Sequence, residues 1–219
     1  GKTTLASSCA GLPEFDNILF INIDKGTLSI QGSNIQEVAI GTDEQGISTK
    51  SILKDLEDVI FSVLSKKPGY EKFKTIVVDN LTELQVKDLE DLTTGKDLIG
   101  QQDYGKDLKK FRKVLSLIRD APLNVILTAQ LKKVFEEGNP NPKEIRPSLT
   151  TGVGNAVMEA VDHVWFLFMK DGKRQLITKK AGIVKAKTRN AKFQTLIGEK
   201  VEDPDLKTIY AKLVQATEQ

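Results

Sequence analysis

Gly1-Lys2-Thr3-Thr4, followed by the alanine-rich Leu5-Ala6-Ser7-Ser8-Cys9-Ala10, reads as the back half of a phosphate-binding loop running into its helix. In the motif G-x-x-x-x-G-K-[ST], backbone N–H groups cradle phosphates, the lysine reaches the β and γ phosphates, and the hydroxyl meets magnesium. On this reading Gly1, Lys2, Thr3 and Thr4 hold a nucleotide, and Thr3 also holds the metal. The first half of the loop and its strand belong ahead of Gly1, so a chain lacking its N-terminal strand is expected. Four residues of this kind also occur by chance, so the reading needs partners elsewhere in the chain.

Lys72-Phe73-Lys74-Thr75-Ile76-Val77-Val78-Asp79 supplies the second part. A buried run delivers one aspartate to the carboxyl end of a parallel strand, where ligands of such sheets sit. Asp79 is expected to hold magnesium through water, opposite Thr3, which makes ATP and Mg2+ the expected ligands. The alternative is an Asp that caps the next helix. The residue after Asp79 is Asn80, not a water-activating Glu, so a base must come from elsewhere. Asp24 follows the apolar run Ile18-Leu19-Phe20-Ile21, and Gln130 ends the apolar run Asn124 to Ala129. Asp24 is expected to orient water and Gln130 to sense the γ phosphate. A turn Asp in Asp24-Lys25-Gly26 and an ordinary polar strand end are the alternatives.

Outward from these motifs, strands and helices alternate. Val38-Ala39-Ile40 suits a short strand. Ile52, Leu53, Leu56, Val59, Ile60, Val63 and Leu64 recur at helical spacing until Pro68-Gly69. Leu81 to Leu92 reads as a helix, and Tyr104, Leu108, Phe111, Leu115 and Ile118 mark one face of another. Leu131 to Gly152, with three prolines and little periodicity, reads as a long loop. A short helix over Val153–Ala160 comes next. Then Val164–Met169 and Arg174–Thr178 flank Asp171-Gly172, a two-residue hairpin signal. Val184–Lys187 suits an edge strand, and Asp205–Ala216 a terminal helix. The expected fold is α/β, a mostly parallel twisted sheet with helices on both faces and a C-terminal β-hairpin extension, in a single domain over 1–219.

Composition narrows the class. A chain of 219 residues, 39% hydrophobic, can bury one substantial core. One cysteine, Cys9, excludes a disulfide framework and a Cys-based zinc site, and is expected to pack the phosphate-loop helix. No run is apolar enough to span a membrane, and the cytoplasm is the expected compartment. Net charge is only +2, but Lys170 to Lys200 holds ten Lys/Arg against Asp171 and Glu199. That stretch either faces phosphates or is a solvated strand surface. His163 is expected at a strand end, Trp165, Phe166 and Phe168 in a core, and Phe135 tucked back on the domain rather than stacked on a base.

The order of motifs resembles the RecA-like recombinase ATPases. It runs Gly1-Lys2-Thr3-Thr4, Phe20-Ile21-Asn22-Ile23-Asp24, Ile76-Val77-Val78-Asp79-Asn80 and Ile126-Leu127-Thr128-Ala129-Gln130, then Thr150-Thr151-Gly152-Val153-Gly154-Asn155-Ala156 and Val184-Lys185-Ala186-Lys187-Thr188-Arg189. The match covers nearly the whole chain. The core-only size is most similar to phage-encoded proteins of single-strand annealing and recombination. The resemblance implies a DNA-dependent ATPase acting on single-stranded DNA, assembled as a ring or filament of identical subunits in the host cytoplasm. It places the family's catalytic carboxylate, usually Glu, on Asp24, and its ATP–DNA coupling glutamine on Gln130. The mobile DNA-binding loop becomes Leu131–Thr151, with the basic residues Lys132, Lys133, Lys143 and Arg146, and a second DNA loop falls near Thr93–Tyr104. Paired lysines that reach a neighbour's ATP fall on Lys185 and Lys187, whose alternative is the outward face of an edge strand. A helicase-type motor and a nucleotide-binding annealing module with little turnover are the rival functions.

Overall fold

The computed structural model describes residues 1–23, 35–41, 51–96 and 98–217. Helix α1 (Lys2–Ser7) leads into β1 (Ile18–Asn22), and β2 (Ile35–Ala39) and α2 (Ile52–Leu64) precede β3 (Thr75–Asp79). Then come α3 (Leu81–Thr93), α4 (Gln101–Arg119) and β4 (Asn124–Leu127). The four strands form one parallel sheet in the order β2-β1-β3-β4. Its register sets Asn22 beside Asp79 and Val78 beside Leu127, so three strand ends open at one edge.

Every residue of β1 and β3 is buried, as the unbroken apolar runs require of a strand covered on both faces. The two faces separate with a period of two. Ile18, Phe20 and Val77 pack on Ala6 and Cys9 of the first helical segment. Leu19, Ile21, Ile76 and Val78 pack on the opposite side, against α2, α3, α4 and α5 (Thr151–Ala160). The expected fold class is therefore observed.

Between β4 and α5 the structure corrects the sequence reading. Leu131–Thr151 is not a loop. It holds β5 (Leu131–Phe135) and β6 (Pro142–Pro147), an antiparallel hairpin with Lys132 opposite Arg146 and Lys133 opposite Ile145. Most of its side chains meet solvent, so no apolar alternation betrays it. Its two paired prolines, Pro142 and Pro147, sit at the ladder's ends, where a missing N–H costs least. The expected second DNA loop near Thr93–Tyr104 falls on the connection between α3, which ends at Thr93, and α4, which begins at Gln101.

The C-terminal part holds β7 (His163–Val164), β8 (Phe166–Lys170), β9 (Lys173–Ile177), β10 (Lys187–Thr188), α6 (Ala191–Ile197), β11 (Lys200–Glu202) and α7 (Leu206–Thr217). The β8–β9 hairpin turns at Asp171 and Gly172, both at positive φ, as the Asp-Gly signal requires. The strand expected over Val184–Lys187 is displaced. Val184 instead bridges Ile145 of β6, and only Lys187–Thr188 pairs with β7. A second core of Leu5, Leu176, Phe193, Ile197 and Ile209, with Trp165 and Leu167 packed on it, joins α6 and α7 to the start of α1. None of the helices in the described residues is long and apolar enough to cross a membrane.

Candidate functional site

The carboxyl edge of β3 carries the site. Thr3 Oγ1 donates to Asp79 Oδ2 at 2.6 Å, and Thr128 Oγ1 donates to the other carboxylate oxygen. Asp79 is 8% exposed and its backbone carbonyl accepts from Ile23 N–H, so the carboxylate is fixed at both ends. The Asp79–Asn80 peptide is cis. Lys2 is exposed at the same edge. The helix's first internal bond runs from Leu5 N–H to the Gly1 carbonyl. The N–H groups of Lys2, Thr3 and Thr4 therefore have no acceptor within the helix and are free for an anion.

This donor set fits magnesium. Mg2+ prefers hard oxygen ligands and usually keeps waters and substrate phosphates in its shell, so one hydroxyl beside one carboxylate is an adequate protein share. Among the described residues no group of three or more His, Cys, Asp or Glu forms a cation cage. Burial pushes the Cys9 thiol up to about 11, so Cys9 packs the core, as expected, and carries no thiolate.

Asn80 has a different use from the missing base. It is buried, and its Oδ1 accepts from Glu83 N–H as the N-cap of α3. A Glu here would lose that cap. Helix α3 thus starts two residues past Asp79, and it also carries the base of the hairpin. Gln130 N–H donates to Thr82 Oγ1 at 2.9 Å. Gln85 bonds Thr150 twice: Nε2 to Oγ1 at 2.8 Å, and Thr150 N–H to Oε1 at 2.8 Å. Entry and exit of the β5–β6 excursion are both fastened to the first turns of α3.

The same Gln85 Nε2 donates to Asp107 Oδ2 at 2.6 Å. Asp107 and Asp88 are fully buried, and Lys110 Nζ lies 2.7 Å from Asp88 Oδ1. Burial lifts both carboxyls, Asp107 to about 6, and the charge of Asp88 adds to the rise at Asp107. The Lys110 ammonium opposes the rise at Asp88 by favouring its charged form.

The other expected residues scatter. Asp24 lies outside the described residues. Gln130 reaches the carboxyl edge with an exposed side chain. Lys132 and Lys133 are exposed, with no ion pair to any described residue, whereas Lys143 pairs with Glu136 and Arg146 with Glu144. Arg146 also donates to Thr151 Oγ1. Lys185 lies 3.1 Å from Glu144 and so belongs to the hairpin's flank. Lys187 is half-buried on β10, and burial beside Arg189 lowers its affinity for a proton. Phe135 corrects its expectation: it is 53% exposed at the end of β5. Trp165, Phe166 and Phe168 are only half-buried, and burial holds His163 neutral at physiological pH.

Sequence reasoning missed Thr128, Thr82, Gln85 and Thr150. Thr128 was findable: a parallel strand next to β3 in register places a hydroxyl beside Asp79. The other three carry no local pattern.

A family model described as an AAA domain matches residues 1–190. A search of curated proteins found no match. Thr3 on Asp79, the lysine beside them and the parallel sheet that carries them agree with that model, and the chain belongs to the AAA domain family of P-loop ATPases.

Proposed function

We propose that this ATPase is a magnesium-dependent, RecA-like enzyme that couples ATP turnover to single-stranded DNA in phage recombination, annealing or replication. The observation that carries the proposal is mechanical. The exposed β5–β6 hairpin is clamped at both ends to α3, which begins two residues after Asp79. Lys2 would hold phosphate, and Thr3 and Asp79 would hold Mg2+, which neutralises developing charge on the transferred phosphoryl group. Asp24 would orient the attacking water, and Gln130 would register the γ phosphate at the hairpin's root. Lys185 or Lys187 would act on the ATP of a neighbouring copy in a ring or filament.

On the hairpin, Lys133, Phe135 and Leu131 share one face, with the lysine and both apolar side chains exposed. That pairing of cation and ring suits a phosphate backbone with a stacked base, without sequence preference. Lys143 and Arg146, already paired to glutamates, contribute less. The cap role of Asn80 favours one second reading, an annealing module in which nucleotide is bound and turned over slowly.

Lys132→Ala/Lys133→Ala tests the proposal. Affinity for a single-stranded oligonucleotide should fall roughly 10-fold, and the salt dependence should flatten by about two counterions. ATP binding without DNA should not change. Unchanged DNA affinity, with a clear loss in Lys179→Ala/Lys180→Ala, would move the DNA site to the C-terminal hairpin.

A further inference from the structure

We propose that Thr128 is a positioning residue for the metal, on the reading that Thr3 and Asp79 are the magnesium ligands: its hydroxyl sets the orientation in which Asp79 meets Mg2+.

Sheet register creates the arrangement. Asn22 on β1 is the partner of Asp79, and Leu127 on β4 is the partner of Val78. Phe20, Val77 and Ile126 all pack on the α1 side of the sheet, with Ala6 and Cys9. Side chains alternate between faces along a strand, so two residues further on Asn22, Asp79 and Thr128 stand in a row on that same face. All three are buried.

The two neighbours of Asp79 in that row behave differently. Asn22 Nδ2 donates to Glu37 Oε1 at 2.7 Å, on β2, the far side of β1 from Asp79. Thr128 Oγ1 donates to Asp79 Oδ1. Its main chain brackets the same residue. Thr128 N–H donates to the Val78 carbonyl at 3.1 Å, and the Thr128 carbonyl accepts from Leu81 N–H at 2.8 Å. One residue thus bonds the chain before Asp79, the carboxylate itself and the first residue of α3.

The terminal torsion of an aspartate is broad and nearly two-fold, so a partner on one oxygen leaves the group loosely set. Here Thr3 Oγ1 takes Oδ2 at 2.6 Å and Thr128 Oγ1 takes Oδ1, and both oxygens are assigned. Thr3 is itself a metal ligand on this reading, so its oxygen is shared with the cation, whereas Thr128 has the carboxylate as its hydroxyl's acceptor. Packing alone would be served by Val, which has the same shape. What Thr128 adds is the hydroxyl. Such a bond to a metal-holding group is typically worth roughly 10- to 100-fold in metal affinity.

The test is equilibrium ATP binding with and without Mg2+, which needs no turnover, on the parent, Thr128→Val, Thr128→Ser and Asp79→Asn. Thr128→Val should weaken Mg2+-dependent binding roughly 10-fold and leave binding without Mg2+ unchanged. Thr128→Ser keeps the hydroxyl and loses the methyl, and it should bind as the parent does. In the Asp79→Asn background Thr128→Val should add no further loss, since the two residues act through one contact. Where Thr128→Val does not fold, Thr128→Ala against Thr128→Ser reads the same hydroxyl, and equal Mg2+ dependence in that pair would overturn the proposal. So would a parent-like Mg2+ dependence in Thr128→Val, an equal loss in Thr128→Ser, or an equal loss without Mg2+. A loss in Asp79→Asn but not in Thr128→Val removes Thr128 and leaves the magnesium ligands in place. No loss in Asp79→Asn removes the magnesium ligands, and Thr128 with them.

Discussion

The Thr3–Asp79–Thr128 cluster and the β5–β6 hairpin sit at the same end of the sheet and share α3, yet they are held by different forces. Around Asp79 the strands are buried on both faces, and the carboxylate accepts from two hydroxyls. Displacing any of these side chains opens a cavity or strands a buried polar group, each costing about 1–3 kcal/mol or more. The hairpin has little buried apolar surface. It is held by its own ladder, by Ile145 bonding the backbone of Ile183 and Lys185, and by the clamp to Thr82 and Gln85. Local stability follows burial, so the hairpin is expected to open more readily than the strands around Asp79.

The largest effects are expected at the residues proposed to act on ATP. Asp79→Asn should weaken magnesium-dependent ATP binding, whereas Asp24→Asn should leave binding intact and slow turnover by about 100-fold, the scale of a positioned base. Single-turnover hydrolysis and equilibrium binding on both variants separate the two. Equal turnover by Asp24→Asn and the parent would remove Asp24 from the mechanism.

The clamp comes next. Gln85→Ala strands Thr150 N–H and Asp107 Oδ2 and should cost about 2 kcal/mol in denaturant unfolding. It should also abolish DNA stimulation of turnover while basal turnover survives. Thr82→Val removes one acceptor at little cost in volume and should reduce stimulation in the same direction. Stimulation retained in both variants would show that the hairpin moves independently of α3.

Asp107 gives a pH signature. Its folded-state carboxyl titrates near 6, above the ordinary carboxylate range, because burial disfavours its charge. The folded state therefore binds more protons than the unfolded state between about pH 4 and 6, and stability falls as pH rises through that window, by on the order of 2 kcal/mol. Asp107→Asn should flatten this slope. A slope of the same size in the variant would assign it elsewhere. The smallest effect is the roughly 10-fold loss of DNA affinity expected for Lys132→Ala/Lys133→Ala, since each lysine is exposed and screened.

The same contrast explains what was legible in the sequence. Ile18–Ile21 and Ile76–Val78 can only be strands of a covered parallel sheet, and that alone brings their polar ends, Asn22 and Asp79, to one edge. Asp171-Gly172 names its own turn. The hairpin over Leu131–Pro147 was hidden because Lys132 and Lys133 break the alternation and prolines mark its ends. Gln85 with Thr150 was hidden for another reason. Its partners are 65 residues apart, and a buried glutamine inside a helix looks like any polar helical position. Helix α6, with seven residues, and strand β11, with three, are too short to announce themselves.

The central claim is that Lys2, Thr3 and Asp79 form a nucleotide–magnesium site. Titration of ATP with and without Mg2+, on the parent and on Lys2→Ala, tests it most directly. Binding by the parent should tighten with Mg2+, and Lys2→Ala should weaken it by about 100-fold or more, the worth of a charge-assisted contact to phosphate. Equal affinity of the two proteins for ATP with Mg2+ would contradict the claim.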